Sequence, residues 1–541
     1  MSKETTTVAP EETKPAEETK PAEETKPPTW VDDFIEIRMS GTPWVLVVTP
    51  DVESTVVALA ASAEFLRKKT GMETQVQVAW NLAAGHRVLS GTQAMPDTVN
   101  KPFPLLQAAQ GFALGGVLFI EVPGPDFWRS DAIVSAVANL RGPFKSSSRT
   151  LVFLAKPGAG DVLPARIAND VPVLRVPLPG VVELRKMVDS ILGDNEIEAS
   201  EEIRARAVTN VRGMTLFAAE SAVARKCLTR SLDAAALAEV RREGIESTTG
   251  GALVFERNPL TFEGVGGMGA LKSYMERLFA GPEAPDLVVR LDELDKVVNA
   301  GAVGAVADNT GVSQDMLRTL LLAIEDNGWL LQILCGIPGS GKTISTIATG
   351  NTFQRPTLAA DLGRCKGSLV GQSEAAVRQV IDIVKSLGGR RVLLSATANR
   401  LDTLPPELLS RAGAGGIWFF DVPDEGEKEA IWRIQCAAYG VNGEKPDDAG
   451  WVGRDIRNCC RTAHMLGLSV KKAAAYTMVT GAVSQELVAM SRYMAATSGF
   501  LSVTKPGRYM PPEALDIESL RTVAAGGRKI VPVAGGPAGE G

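Results

Sequence analysis

Residues 336–343 read GIPGSGKT, and this G-x-x-x-x-G-K-T pattern constrains the fold more than any other part of the chain. Its glycines allow backbone N–H groups to turn towards an anion, while Lys342 can reach phosphates and the Thr343 hydroxyl suits magnesium. The apolar run over residues 329–335 predicts a buried strand before the loop, and residues 343–349 predict the helix that follows. The sequence therefore predicts a loop that binds the phosphates of a nucleoside triphosphate; a chance glycine loop is the alternative.

Length, charge and cysteine usage limit the classes of protein to which the chain can belong. The chain has 541 residues, which suggests about three to four domains. Its net charge of −6 gives no general attraction to nucleic acid or anionic membranes. No apolar stretch reaches the roughly 18 residues of a membrane span, and the N-terminus lacks the apolar core of a secretory signal. Because the six cysteines are scattered without C-x-x-C spacing, we expect a reducing compartment and a cytoplasmic protein.

Composition and periodicity divide the chain into six segments. They are a disordered tail (1–29), a degenerate ATPase-like α/β domain (30–194), a helical linker or lid (195–250), an ATPase core (251–422), a helical lid domain (423–503) and a flexible C-terminal tail (504–541). The first tail repeats E-E-T-K-P-A and offers no apolar period from which a core could form. Alternating strand and helix patterns over residues 30–194 predict a parallel sheet with helices on both faces.

The first α/β domain lacks the residues that bind and hydrolyse nucleotide. Five strands are predicted, over residues 45–49, 74–78, 117–120, 151–154 and 173–176. Where a phosphate loop would follow the first strand, the chain reads TPDVE, with no glycine turn, no lysine and two repelling carboxylates. The third strand is followed by EVP and not by a paired Asp-Glu. We therefore expect an ATPase-shaped domain without the chemistry.

Hydrolysis requires acids at the end of a strand beside the phosphate loop. Asp292 and Glu293 follow LVVRL, an apolar run interrupted by Arg290, and this pair precedes the loop in the chain. The alternative is an amphipathic helix start with solvated charges. A further strand is predicted over residues 391–397, and Asn399 follows it. Asn399 is a candidate to orient the attacking water, or simply a residue in a strand-end turn.

From about residue 262 to residue 499 the chain resembles an AAA+ ATPase module. The motifs that carry the resemblance, besides the phosphate loop, are FEGVGGM (262–268), GQSE (371–374), Asn399, LPPELLSR (404–411), FFDVP (419–423) and WVGRDI (451–456). The resemblance implies an α/β fold, with a P-loop NTPase parallel sheet sandwiched by helices and a helical AAA+ lid. With its inactive N-terminal domain, the chain resembles plastid and cyanobacterial AAA+ proteins, and permuted relatives in bacteria and phages.

The resemblance implies a role for each candidate residue and implies ATP and Mg²⁺ as cofactors. The residues implied to bind ATP are Gly336, Pro338, Gly339, Ser340, Gly341, Lys342, Thr343 and Arg454. Thr343 and Asp292 would hold magnesium, Glu293 would activate water, and Asn399 would orient that water. Arg411 would act on a neighbouring subunit's nucleotide; a surface salt bridge is the alternative. Action in trans requires a homo-oligomer, and the family's usual ring is a hexamer.

Two departures from the family pattern affect the functional prediction. The acidic strand precedes the phosphate loop (Walker B before Walker A), which we interpret as a permutation that leaves the sheet intact. Leu369 stands where the family has a threading aromatic residue. We therefore expect an ATP-hydrolysing motor that remodels a protein or protein complex, or alternatively a nucleotide-gated scaffold or switch with slow turnover. A nucleic-acid motor or loader is a third reading, against which the negative charge counts.

Overall fold

The computed structural model describes residues 30–71, 74, 76–158, 161–228, 231–295, 312–365, 372–399, 404–479 and 485–512. The predicted tail over residues 1–29, most of the predicted C-terminal tail and Leu369 lie outside the described residues. The described chain is α/β, with two mostly parallel sheets flanked by helices, as the sequence predicts. None of its described helices is both long enough and apolar enough to cross a membrane.

The first sheet has six strands, in the order β3-β2-β4-β5-β1-β6. They are β1 (Trp44–Val48), β2 (Gln77–Asn81), β3 (Gly85–Ser90), β4 (Val117–Glu121), β5 (Thr150–Ala155) and β6 (Val173–Arg175). Only β3 is antiparallel to its neighbour. Along β1, Trp44, Leu46 and Val48 pack into one apolar cluster, while Val45 and Val47 pack into another. Both faces of the strand are therefore buried, which explains its continuous apolar sequence.

All five strands predicted in this region are present, although the second begins at Gln77 and not at Thr74. The hairpin strand β3 was not predicted, because its sequence GHRVLS is half-exposed and has no apolar run. The helices around this sheet are α1 (Trp30–Met39), α2 (Val52–Thr70), α3 (Pro102–Ala108), α4 (Asp131–Ser146) and α5 (Ala165–Ala168).

A helical bundle joins the two sheets. It contains α6 (Val181–Asp194), α7 (Glu201–Val211), α8 (Leu216–Lys226) and α9 (Ala236–Thr248). Ser200 and Thr215 cap α7 and α8, each accepting a hydrogen bond from a backbone N–H in the first turn. The bundle contacts the second half of the chain through Arg212, whose Nε donates to the Ser386 carbonyl at 3.0 Å.

The second sheet has seven strands, in the order β13-β12-β9-β11-β8-β10-β7. They are β7 (Leu253–Phe255), β8 (Leu287–Leu291), β9 (Leu330–Gly336), β10 (Thr357–Ala360), β11 (Val392–Ala398), β12 (Ile417–Phe420) and β13 (Leu501–Ser502). The flanking helices are α10 (Gly269–Ala280), α11 (Val312–Asn327), α12 (Lys342–Thr352), α13 (Gln372–Gly388) and α14 (Pro406–Arg411). Leu287–Leu291 is a strand, so the alternative of a helix start before Asp292 is wrong.

The two sheets have the same spatial plan but a different chain order. In the first sheet, β1 lies between β6 and β5, and β4 lies beyond β5. In the second sheet, β9 lies between β12 and β11, and β8 lies beyond β11. Beyond β4 or β8 lies one more parallel strand, β2 or β10, and beside it an antiparallel strand, β3 or β7, forms the edge of the sheet. The strand β8 thus takes the place of β4, although it precedes the central strand in the chain whereas β4 follows it.

The lid helices are α15 (Glu425–Tyr439), α16 (Gly453–Leu466), α17 (Val470–Ala473) and α18 (Gln485–Thr497). Within this lid, Asp448 is buried and accepts hydrogen bonds from Trp432 Nε1 at 2.8 Å and Lys428 Nζ at 3.0 Å. Burial acts to raise the pKa of Asp448, but these hydrogen bonds together outweigh it and hold the pKa below its usual range. After the lid, the chain re-enters the second sheet at Leu501–Ser502, inside the segment predicted to be lid.

Candidate nucleotide-binding site

A cleft of about 340 Å³ lies at the carboxyl ends of β8, β9 and β11, below the lid helices α15 and α16. Ligands of open parallel sheets bind at this edge, where the strand order changes direction. The cleft is lined by Gly264, Val265, Gly266, Met268, Glu293, Pro338, Gly339, Ser340, Gly341, Lys342, Thr343, Ile344, Thr397, Asn399, Ile431, Ile434, Gln435, Gly453, Arg454 and Arg457. Predicted residues from the loop, the acidic strand, the β11 end and the lid therefore meet in one cleft.

The phosphate loop depends on backbone conformations that favour glycine. Gly336, Gly339 and Gly341 have φ angles of +132°, +88° and +105°. At Gly336 a Cβ atom would also lie 2.2 Å from the carbonyl oxygen of Phe420 on the neighbouring strand. These glycines allow the chain to turn from the end of β9 into α12, which begins at Lys342 and directs its N-terminus into the cleft.

Lys342 lies under the loop, with 7% of its surface exposed. Its Nζ atom donates to the carbonyl oxygens of Gly336 and Ile337, at 2.8 and 2.9 Å. Burial lowers the pKa of Lys342 to about 8, because desolvation disfavours the ammonium form. Oxygens of a bound phosphate would therefore compete with two neutral carbonyls for this ammonium group.

Thr343 and Asp292 meet in the cleft although they lie far apart in the chain. The Thr343 hydroxyl is 3.3 Å from Asp292 Oδ1, and the Thr397 hydroxyl on β11 is 3.4 Å from the same oxygen. Hydroxyl and carboxylate oxygens are the ligands that Mg²⁺ uses in proteins. These side chains therefore fit a magnesium ion. The sequence did not identify Thr397; its position at a strand end, two residues before Asn399, was the available signal.

Arg290 occupies the other oxygen of Asp292. Its guanidinium forms an ion pair with Asp292 Oδ2, and its Nη2 atom lies 3.2 Å from Glu256 Oε2. The Arg290 side chain is 13% exposed, and that of Asp292 is 38% exposed. Arg290 interrupts the apolar sequence of β8 because it joins the acid after this strand to the acid after β7. This contact reduces the negative charge that Asp292 offers to a metal.

Glu293 and Asn399 both line the cleft. Glu293 lies in the turn after β8, and Asn399 follows β11. Glu293 has a φ angle of +53°, in the left-handed region that non-glycine residues seldom adopt. Its backbone N–H donates to the Thr397 hydroxyl at 3.0 Å, which fixes this conformation against β11. Such strained positions are frequent at functional sites, where the surrounding structure holds them.

The lid contacts the phosphate loop directly. The backbone N–H of Arg454 donates to the Gly339 carbonyl at 3.2 Å. A Cβ atom on Gly339 would lie 3.0 Å from that of Arg454, so the two segments approach closely. Arg454 lines the cleft, and so does Arg457, one turn later on α16; the role of Arg454 in binding nucleotide stays a prediction. The sequence reasoning missed Arg457, for which helical spacing from Arg454 was the available signal.

Arg411 is not among the residues that line the cleft. Its Nη2 atom pairs with Glu325 Oε2 at 2.8 Å, and its Nη1 atom donates to the Glu407 carbonyl at 2.9 Å. The salt-bridge alternative is thus present within the chain. Its action on a second subunit's nucleotide stays a prediction.

Similar proteins share the name AAA domain-containing protein ycf46. The protein from Guillardia theta is 22% identical, over 62% of this chain and 67% of its own length. Over that length the chain is similar to a protein with an AAA domain. The protein from Trieres chinensis is 28% identical, over 21% of this chain and 31% of its own length. The protein from Gracilaria tenuistipitata var. liui is 22% identical, over 57% of this chain and 64% of its own length.

These relatives support the plastid-type AAA+ resemblance that the motifs indicate, and an AAA domain implies nucleotide binding. The chain spans about two thirds of the length of two of these relatives and about a third of the other. No protein-family model matches the chain.

Proposed function

We propose that the chain binds ATP with magnesium and hydrolyses it, as an oligomeric AAA+ ATPase that remodels a protein or protein complex. The observation that carries this proposal is the 3.3 Å approach of the Thr343 hydroxyl to Asp292. It brings together a residue of the phosphate loop and the first acid of a strand encoded earlier in the chain. A metal ion between them would be held from both sides of the same cleft.

Each residue has one task in the proposed reaction. Lys342 exchanges its two loop carbonyls for phosphate oxygens, and the loop N–H groups bind the remaining oxygens. Thr343 and Asp292 would hold magnesium, which would supply positive charge against the phosphates. Glu293 accepts a proton from the attacking water, and Asn399 orients that water. Arg454 extends from the lid towards the phosphates.

We propose that Arg411 acts in a homo-oligomeric ring, with six subunits as the family's usual number. Arg411 ends α14, where its side chain is 28% exposed and is paired with Glu325. That partner is 64% exposed, so the contact is weak enough for a neighbouring subunit's nucleotide to replace it. An arginine supplied in this way contributes about 10³–10⁵ to the rate. Unpaired cysteines at all six positions support a reducing, cytoplasmic location.

A nucleotide-gated scaffold or switch is the second candidate function. Two contacts favour slow turnover: the ion pair between Arg290 and Asp292, and the hydrogen bonds from Lys342 to its own loop. Both must be exchanged or weakened before the metal and the phosphates are fully bound. An inactive first domain also suits a protein that recruits partners.

The test is the ATPase rate of the full chain with and without an unfolded protein or DNA. Glu293→Gln should lower the rate by about 10²–10⁴, since a positioned general base contributes that much. Lys342→Ala should abolish nucleotide binding, whereas Glu283→Gln, on an exposed loop, serves as the matched control. Fast basal turnover that Glu293→Gln abolishes supports the motor, and tight binding with negligible turnover supports the switch. A rate unchanged in Glu293→Gln contradicts the proposed hydrolytic site.

A further inference from the structure

A second cavity, of about 330 Å³, lies at the opposite edge of the second sheet from the nucleotide cleft. Its walls include Leu287 and Pro356, at the amino ends of β8 and β10, whereas the nucleotide cleft lies at the carboxyl ends. The cavity lies between the helical bundle and the second sheet, because Thr209 and Arg212 come from the bundle. A ligand here would contact both parts of the molecule.

Three arginines from three different segments line this cavity. Arg212 follows α7, Arg241 lies on α9, and Arg355 lies in the turn before β10. Among the described lining residues the one carboxylate is that of Asp286, and its Oδ2 atom is already paired with Arg391 at 2.5 Å. The other oxygen of Asp286 is 4.0 Å from Arg355 Nη1. The lining therefore carries more positive than negative charge.

Neither Arg212 nor Arg241 forms an ion pair with any carboxylate in the described part of the chain. Arg241 is only 9% exposed, and its Nη1 atom donates to the Thr209 carbonyl at 2.9 Å. Its Nε atom has no hydrogen-bond partner among the described residues. The ring of Phe255 lies 5.3 Å from this guanidinium and supplies a weak cation–π contact. A buried guanidinium without a paired carboxylate is costly, so this environment favours the binding of an anion.

Two further features favour an anion in this cavity. The Nε atom of Arg355 is also buried, and no hydrogen-bond partner for it lies in the part of the chain that the structure describes. Burial lowers the pKa of Arg241 to about 10, and repulsion from Arg242 and Arg212 adds to that effect. An anion in the cavity would relieve this repulsion and accept hydrogen bonds from these N–H groups. A guanidinium group can donate two parallel hydrogen bonds to two oxygens of a phosphate. A single carboxylate has too few oxygens to accept such paired hydrogen bonds from three arginines.

We propose that this arginine-lined cavity binds a small phosphate compound, of the size of inorganic diphosphate, between the helical bundle and the ATPase half. The volume of about 330 Å³ lies within the range for small-molecule sites, about 300–1,000 Å³, and is sufficient for a compound of this size. Arg212 and Arg241 would hold the compound from the bundle, and Arg355 would hold it from the ATPase half. Binding would therefore strengthen the contact that Arg212 already makes with Ser386 at the end of α13.

The test is isothermal titration calorimetry of the full chain with inorganic diphosphate, in buffer free of phosphate and sulfate. The phosphate loop would also bind this probe, so Lys342→Ala is the background for every variant. In that background we expect one remaining site, which Arg355→Gln weakens by about tenfold or more, the loss typical of one charge-assisted hydrogen bond. Arg390→Gln, an exposed arginine at the same sheet edge outside the cavity, should change nothing.

Folding is controlled with the far-UV spectrum and melting temperature of each variant. The Arg355 side chain is 37% exposed, so its replacement should leave the fold intact. Arg355→Lys keeps the charge without the paired N–H groups and should bind with intermediate affinity. No diphosphate binding in the Lys342→Ala background overturns the proposal, and so does equal binding by Arg355→Gln and Arg390→Gln. This test does not depend on ATP hydrolysis.

Discussion

Replacing Arg290 by methionine should increase the effect of magnesium on nucleotide affinity. Arg290 forms an ion pair with one oxygen of Asp292, the acid whose other oxygen lies 3.3 Å from the Thr343 hydroxyl. Its guanidinium also lies 3.2 Å from Glu256. Methionine has a similar length and fits the buried strand, but it removes the cation from Asp292. The metal then meets a full negative charge.

The expected size of this effect follows from the solvent exposure of the Arg290–Asp292 ion pair. With side chains 13% and 38% exposed, the pair lies between a solvated salt bridge and a buried one. We therefore take about 1 kcal/mol, near the upper end for exposed pairs, which corresponds to about fivefold in dissociation constant. The assay is calorimetric titration of ADP with and without Mg²⁺, and the quantity is the ratio of the two dissociation constants.

Glu256→Gln provides the opposite perturbation. Without the charge of Glu256, Arg290 interacts with Asp292 as its one remaining carboxylate partner of the two. The effect of Mg²⁺ on ADP affinity should therefore decrease in this variant. Its other contacts can persist, because Glu256 Oε1 accepts from the backbone of Arg257 and Asn258, which a glutamine oxygen can also do. If Arg290→Met leaves the magnesium effect unchanged or reduces it, the inference that Arg290 weakens the metal site is refuted.

Two predictions concern stability, measured as the free energy of unfolding in denaturant. Asp448→Asn should destabilise the lid by about 2 kcal/mol or more, since it breaks a buried charged pair, whereas exposed Asp447→Asn should not. Because the folded pKa of Asp448 is depressed, its contribution is present above the unfolded pKa of about 4 and is lost as the pH falls through the folded value; Asp448→Asn should show a weaker acid dependence. Gly336→Ala should cost more than about 3 kcal/mol, since its Cβ would lie 2.2 Å from the Phe420 carbonyl in addition to its positive φ. Gly328 has a φ angle of +64°, and a Cβ atom there would meet no atom of the described residues within 4 Å, so Gly328→Ala should cost only about 1–2 kcal/mol; equal costs would contradict the steric argument.

Much of the fold could be predicted because its strands are buried on both faces. Continuous apolar runs such as β1, which Thr49 follows, and β4, which ends at Glu121, lead to polar residues at one sheet edge, and this pattern is visible in the sequence. The half-exposed hairpin strand β3 and the two-residue strand β13 have no such pattern. Their positions depend on pairing with neighbouring strands, which is a tertiary effect.

Residues of the candidate site could be predicted where the chemistry requires a particular residue type close to the end of a strand. Lys342, Thr343 and Asp292 are of this kind, and the structure brings them together. Arg290 appeared in the sequence only as an interruption of an apolar run. Its role depends on the distance to Glu256, which follows a different strand, and no local pattern reveals that contact.

The most direct test of the shared metal site is a double-mutant cycle between Thr343→Val and Asp292→Asn, measured as the affinity for ADP in the presence of Mg²⁺. If both side chains hold one metal ion, either change alone removes most of the metal's effect. The double variant should then lose little more, giving a coupling energy above about 1 kcal/mol. Losses that add to within about 0.5 kcal/mol would mean that the two residues act independently, and would contradict the account.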